Sequence, residues 1–412
     1  MKSKLGNDLN LGSITGGKSS LIFSRTDRSK HLYACGSTGT DKSKFLEHLI
    51  RQDIMAWSKS KCGLLLLDPH GDLYDNLIRW AAKLKLDRPI IPIDLRQGDW
   101  GKASLDLGAA LEKGAIILVN LAAETGAISR TNAERFATGL LNDLWTAARG
   151  RGKHDDVKPF YIYLDEFHRF VTPTIAEYLD QARGFGLHLT LVHQAPSQLH
   201  TRGDHGKRGY DSVMENASSK IVFRLNAKED RDSLAELLFM GVMKPEEIKN
   251  ALSSKDFMKC VEELKGITGE STTKGRSRGA ASGNESWFES TTISESYGST
   301  FVPVLGKELS HVQFRSLEEQ LFRALAVLVD QQQRHAVARL VGMSAPVSIA
   351  TPAVDHVPIS KELTKRYLKK LHQKLPSTIR GGKTPQKLKE TSLKPTRAVR
   401  RVKGKKTVKK TR

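Results

Sequence analysis

The chain has 412 residues, 39% of them hydrophobic, with a formal net charge of +21, so it is long enough for one large buried core and partner regions outside it. No stretch reaches the ~18–20 continuous apolar residues of a membrane helix, and the start, Met1-Lys2-Ser3-Lys4, lacks the apolar segment of a secretory signal. Cys35, Cys62 and Cys260 are odd in number, far apart and form no C-x-x-C, which excludes a disulfide framework and points to reduced thiols and a cytoplasmic location.

Residues 1–30 are Gly- and Ser-rich with weak strand signals and read as an irregular lead-in. From 31 to 265 short apolar runs alternate with helical periodicity. Strands are expected at 31–35, 63–67, 90–94, 115–120, 160–164, 187–192 and 219–224, with helices between them, for example Asn132–Ala148 and Ile175–Ala182. That alternation predicts an α/β fold with a mainly parallel sheet covered on both faces, whose ligands sit beyond the carboxyl ends of the strands.

The first strand runs into Gly36-Ser37-Thr38-Gly39-Thr40-Asp41-Lys42-Ser43, a phosphate-binding loop with one departure from G-x-x-x-x-G-K-[ST]: Asp41 stands where glycine is expected. The helical residues Phe45, Leu46, Leu49, Ile50 and Ile54 follow, so the strand–loop–helix setting is right. Such a loop curls main-chain N–H groups around phosphates at a helix N-terminus, while lysine meets the outer phosphates and the hydroxyl holds Mg²⁺. Aspartate tolerates left-handed backbone, so the turn survives. Its charge is the difficulty, because like charges at 4 Å repel by about 4 kcal/mol at an effective dielectric near 20, before screening. The loop is therefore either a working ATP site or one kept for folding alone.

Further strand ends carry polar groups. Asp68-Pro69-His70-Gly71-Asp72 closes the second strand, and Asp68 suits either metal and water positioning or capping of a turn. Phe160-Tyr161-Ile162-Tyr163-Leu164 ends in Asp165-Glu166, which suits Asp165 to hold the Mg²⁺ shell and Glu166 to polarise an attacking water. Leu187–Val192 ends in His193-Gln194, either a γ-phosphate contact or a plain strand ending. Ser218–Arg224 reads as a structural strand with a basic end.

Between 268 and 300, Ser, Thr and Gly fill 19 of 33 positions, which predicts a flexible linker or mobile loop over 266–300. Its aromatics Trp287, Phe288 and Tyr297 suit stacking on bases or burial against the body. Residues 301–357 are expected as a helical extension, with Leu317, Leu321, Leu325, Leu328 and Val329 on one helix face. Residues 358–412 read as a disordered basic tail that opens with a short amphipathic pattern, Leu363, Tyr367 and Leu371. From 361 to 412 there are 20 Lys and Arg against 2 Asp and Glu, so this segment holds +18 of the +21. A polycationic arm of this kind contacts nucleic-acid phosphates without reading sequence, although an acidic protein or lipid would also attract it.

Taken together, Gly36–Ser43, Asp68–Asp72, Leu164-Asp165-Glu166, Arg183-Gly184-Phe185-Gly186-Leu187, His193-Gln194 and Asn216–Arg224 resemble, in type and order, the HerA/FtsK superfamily of P-loop ATPases. The likeness covers roughly 30–355 and is greatest to the coupling proteins of type IV secretion and conjugation. It implies a RecA-like core that binds ATP and Mg²⁺ and moves DNA, in a homo-oligomeric ring, usually a hexamer, with relaxosome or secretion-channel partners. By the same likeness Lys42 and Ser43 bind phosphates and Mg²⁺, Gln194 senses the γ-phosphate, and Arg183 is presented to a neighbouring subunit's nucleotide. The chain departs from the family at Asp41, lacks the membrane-spanning helices many coupling proteins begin with, and has only a short connection between Ile93 and Ala115 where the family carries a helical insertion. A non-hydrolysing DNA-binding scaffold and a helicase-like genome-maintenance ATPase are the competing expectations.

Overall fold

The computed structural model describes residues 8–97, 105–123, 128–153, 157–170, 179–200, 203–244, 248–278 and 285–374. They fall into two compact units, one formed by residues up to 234 together with those from 328, the other by 235–327.

An eleven-stranded sheet organises the first unit. Its strands are β1 (Leu9–Ile14), β2 (Ser20–Phe23), β3 (Leu32–Cys35), β4 (Gly63–Asp68), β5 (Ile90–Asp94), β6 (Ile116–Asn120), β7 (Phe160–Leu164), β8 (Leu187–His193), β9 (Ser219–Phe223), β12 (His335–Arg339) and β13 (Val347–Ala350). In space they run β2-β1-β13-β12-β9-β3-β8-β7-β4-β6-β5. All pairings from β9 to β5 are parallel, and those from β2 to β9 are antiparallel. The seven predicted strands are the seven parallel ones. Their apolar runs are buried along their whole length, as parallel strands covered on both faces must be.

The helices that cover them are amphipathic. After the single turn α1 (Arg25–Arg28) come α2 (Lys42–Ser60), α3 (Asp72–Lys83), α4 (Leu107–Lys113) and α5 (Arg130–Gly150). Helix α2 buries Phe45, Leu46, Leu49, Ile50 and Ile54, and α5 buries Leu140, Leu141, Leu144 and Trp145. The predicted helix at Ile175–Ala182 lies largely outside the described residues. Two shorter helices, α6 (Ser197–His200) and α7 (Gly203–Asn216), precede β9. No helix among the described residues is long and apolar enough to cross a membrane.

Three expectations change. The lead-in is not irregular: β1 and β2 join the main sheet, with Leu9, Leu11 and Phe23 buried. Residues 301–357 are not simply helical, because β12 and β13 lie between β1 and β9 and link the two ends of the sheet. Within 266–300, residues 266–278 and 285–300 are strand rather than linker, and residues 279–284 lie outside the described residues. In the second unit, β10 (Ile248–Arg278) and β11 (Glu285–Phe314) pair as a long antiparallel ribbon. Ser and Thr are compatible with an exposed ladder, so composition alone did not separate ribbon from linker. Trp287, Phe288 and Tyr297 are exposed on it. Helix α8 (Lys228–Phe239) leads toward this unit, and α9 (Leu317–Val329) leads back to the first.

The tail begins as part of the body. Helix α10 (Lys361–Lys374) packs against α3 and β5, with Tyr367 and Leu371 buried and the Tyr367 hydroxyl donating to the Leu86 carbonyl at 2.8 Å. Residues 375–412 lie outside the described residues. Truncation after Lys374 should leave the melting temperature unchanged, whereas Leu371→Ala should cost about 2–4 kcal/mol in a denaturant titration; equal effects would remove α10 from the core.

Candidate nucleotide site

The parallel register gathers the polar strand ends along one edge. Cys35 lies opposite His193, Asp68 opposite Asn120, and Asn120 opposite Asp94. Leu67 pairs with Leu164, so Asp165 emerges beside Asp68. Strand ends tens of residues apart in sequence thus become neighbours along one edge of the parallel strands.

The loop between β3 and α2 is anchored where it leaves β3. The Gly36 N–H donates to the Gln194 carbonyl at 3.1 Å and the Ser37 N–H to the Arg224 carbonyl at 2.8 Å. The Asn226 N–H donates to Ser37 Oγ at 3.0 Å. Gly36 is required there, since a Cβ would stand 2.5 Å from Phe223 Cβ. Gly39 and Asp41 both have left-handed backbone, at φ 82° and 67°, so Asp41 adopts the conformation that the missing glycine would supply. It is the N-cap of α2, yet its side chain makes no capping hydrogen bond. Within the loop, Thr40 Oγ1 and Lys42 Nζ both donate to the Ser37 carbonyl, at 2.8 and 3.0 Å.

Two contacts tie this loop to the acids. Ser43 Oγ donates to Asp165 Oδ2 at 3.3 Å. Gln194 bridges the other side: Thr38 Oγ1 donates to its Oε1 at 3.2 Å, and its Nε2 donates to Glu166 Oε1 at 3.0 Å. The sequence-predicted residues from Gly36 to Ser43, with Asp165, Glu166 and Gln194, therefore form one cluster. Arg183 does not join it. It lies exposed in the turn Ala182–Phe185 at the amino end of β8, opposite the end that carries Gln194.

The two acids have different electrostatics. Burial, then Asp68 and Glu166, pushes the Asp165 carboxyl up to about 7. Burial would also raise Glu166, but the adjacent His168, the hydrogen bond from Gln194 and the charge of Lys42 bring it down to about 2. Lys42 is lowered by burial and held up by Glu166 and Asp165. The donor set around Asp165 fits Mg²⁺: a hydroxyl and a buried carboxylate meet where neighbouring carboxylates leave unrelieved negative charge. Mg²⁺ takes its other ligands from phosphate and water.

Asp68 resolves toward its capping role, for Oδ1 accepts from the His70 N–H at 3.0 Å and Oδ2 from the Tyr74 N–H at 2.8 Å. His193 is wholly buried, 2.8 Å from the Tyr33 hydroxyl through Nε2, and burial brings it down to about 3, so it is neutral. Sequence reasoning missed His168. Its Nδ1 lies 3.3 Å from Glu166 Oε2, and the one-turn helix Phe167–Phe170 after the acid pair turns it back toward that carboxylate. A histidine two residues beyond a strand-end acid was the available signal.

Comparison with known proteins adds to this geometry. Residues 159–298 match the family model described as the TraM recognition site of TraD and TraG. No curated protein sequence matches the chain. Among solved structures, the bacterial conjugative coupling protein TrwBdeltaN70 in its unbound monoclinic form is 10% identical, covering 85% of this chain and 92% of that one, with a TM-score of 0.48. Plasmid coupling protein TrwB with ADP and Mg²⁺ is 10% identical over 81% and 87%, at 0.46. The genome packaging NTPase B204 of Sulfolobus turreted icosahedral virus 2 with ATP-gammaS is 12% identical over 79% and 99%, at 0.37.

Sheet order, the loop after β3 and the paired acids define a P-loop fold of RecA-like type. The family match spans β7, β8, β9 and most of the ribbon, so similarity to TraD and TraG is confined to that part of the chain.

The raised Asp165 carboxyl gives a sign that can be checked without metal. Its folded pKa lies above the ordinary 3.8, so ionisation costs stability as pH rises from about 4 and the cost is complete above about 7. Asp165→Asn should raise the melting temperature of metal-free protein at pH 8 by about 2–4 °C and by clearly less at pH 5, where the cost is only partly developed. An equal shift at both pH values would contradict the buried-charge account.

Proposed function

We propose that the protein is a cytoplasmic, Mg²⁺-dependent ATPase of coupling type that moves DNA in conjugative transfer as a homo-oligomeric ring. The observation that carries the reading is the pair of contacts Ser43–Asp165 and Gln194–Glu166, which joins a nucleotide loop to a metal-shell acid and a catalytic acid. Bound Mg²⁺ would neutralise charge on the outer phosphates. Ser43 and Asp165 would hold it, and Lys42, which donates to the Ser37 carbonyl, would meet the phosphates. Glu166 stays ionised at neutral pH and orients the attacking water, with Gln194 reporting from the γ-phosphate side to the acid.

Arg183 fits a role across the ring, since it is exposed and far from its own loop along β8; an arginine offered in trans links hydrolysis to subunit movement. The basic residues 361–412 supply salt-sensitive DNA affinity. The partners are relaxosome or secretion-channel proteins, in keeping with a matched family named for TraM recognition.

Asp41 favours a second reading, a DNA-binding scaffold that does not hydrolyse ATP, because its carboxylate stands at the mouth where phosphates would bind. Turnover with and without DNA separates the two. Under the first reading ATP is hydrolysed, Asp41→Gly raises nucleotide affinity by about tenfold, as expected for ~1.4 kcal/mol of removed repulsion, and Glu166→Gln abolishes turnover while binding persists. Activity retained in Glu166→Gln removes that residue from the mechanism. Silence in the natural chain with activity in Asp41→Gly makes the scaffold correct. Separately, deletion of 375–412 should flatten the dependence of DNA affinity on salt, as fluorescence anisotropy over a salt series would record.

A further inference from the structure

The carboxyl edge has a second opening outside the nucleotide loop. A cavity of about 540 Å³ is framed by the β4 turn at Pro69 and His70, the first turn of α5 at Ser129 and Arg130, and Arg169-Phe170 beyond the acid pair. Nothing in the ATPase reading uses it.

Its lining is largely apolar, with Arg130 and Arg169 as the cationic members and Glu134 as the acidic one. Arg130 is largely exposed, and its Nε donates to Glu134 Oε1 at 3.2 Å; Glu134 also lines the cavity. Arg169 has no such partner: its Nε is buried without a hydrogen-bond acceptor among the described residues. Asp165 and Glu166 act on it only through their charge. Burial first, and then the neighbouring Arg130, lower the Arg169 pKa, so two guanidinium groups face one space with one carboxylate between them. Helix α5 adds the positive end of a 21-residue dipole, with Ser129 accepting from the Asn132 N–H. An unpaired guanidinium N–H, a second guanidinium and a helix N-terminus are the donors that an oxyanion takes.

We propose that this cavity binds a phosphodiester group of DNA, a site distinct from the phosphate loop and from the basic tail. DNA as the source of the phosphate rests on the function proposed above; the anion chemistry does not. The position is suited to communication. The Arg169 N–H donates to the Glu166 carbonyl at 2.9 Å, so a strand held here lies one helical turn from the catalytic carboxylate.

The test is an arginine footprint on the full chain. Phenylglyoxal modification of Arg130 and Arg169 is followed by mass spectrometry with no addition, with a single-stranded 20-mer, and with inorganic phosphate at the same concentration of phosphate groups. The oligonucleotide should slow modification at both positions by about fivefold while phosphate does little, as expected when many linked phosphates position one at the site. Equal protection by phosphate would overturn the DNA assignment in favour of a small-anion site, and no protection by either would overturn the site itself. The footprint needs neither substitution nor turnover, so it stays readable if the protein proves not to hydrolyse ATP. In parallel, Arg130→Gln, checked for an unchanged melting temperature, should lower the slope of log affinity against log salt by about 1 for DNA; an unchanged slope counts against the proposal.

Discussion

The site depends on parallel register. A parallel sheet aligns every strand in one direction, so residues that end apolar runs far apart in sequence come out on one edge. Here that edge collects Asp68, Asp165, Glu166, His193 and Gln194 beside the loop that follows β3. A slip of one residue in β7 would turn Asp165 and Glu166 to opposite sides of their present positions. The buried runs Leu64–Leu67 and Phe160–Leu164, packed on both faces, fix the register that keeps the acids in place.

Burial then divides labour between adjacent carboxylates. Asp165 is enclosed with other acids and resists ionisation, so it is primed for a divalent cation. Glu166 receives His168 and Gln194 and remains charged. Its backbone is left-handed at φ 48°, an uncommon conformation for glutamate, and this turn separates its environment from that of Asp165. The same tight turn brings His168 and Arg169 to the edge.

Much of this was legible in sequence because parallel strands announce themselves as short, continuous apolar runs. Gly63–Leu67, Ala115–Asn120 and Phe160–Leu164 needed no partner to be read, and their polar endings marked the site. The antiparallel side was not legible. Leu9–Ile14 pairs with Val347–Ala350, and each is too short and too polar to stand out alone. The ribbon strands carry Ser and Thr because they are exposed, which is also how a linker is composed. Asp68 could not be assigned until its oxygens were seen to accept from His70 and Tyr74. His168 and Arg169 follow the recognised motif, but their importance lies in a turn that no periodicity reveals.

The pairing of β1 with β13 has a consequence for biogenesis. Strand β1 pairs early with β2, but its other edge has no neighbour until the ribosome has made residue 350, so Leu9 and Leu11 wait, unpaired on that side, through most of the synthesis of this stretch. Contacts this distant in sequence close slowly and expose apolar strand edges meanwhile. One edge of β1 therefore stays open until β13 has been synthesised.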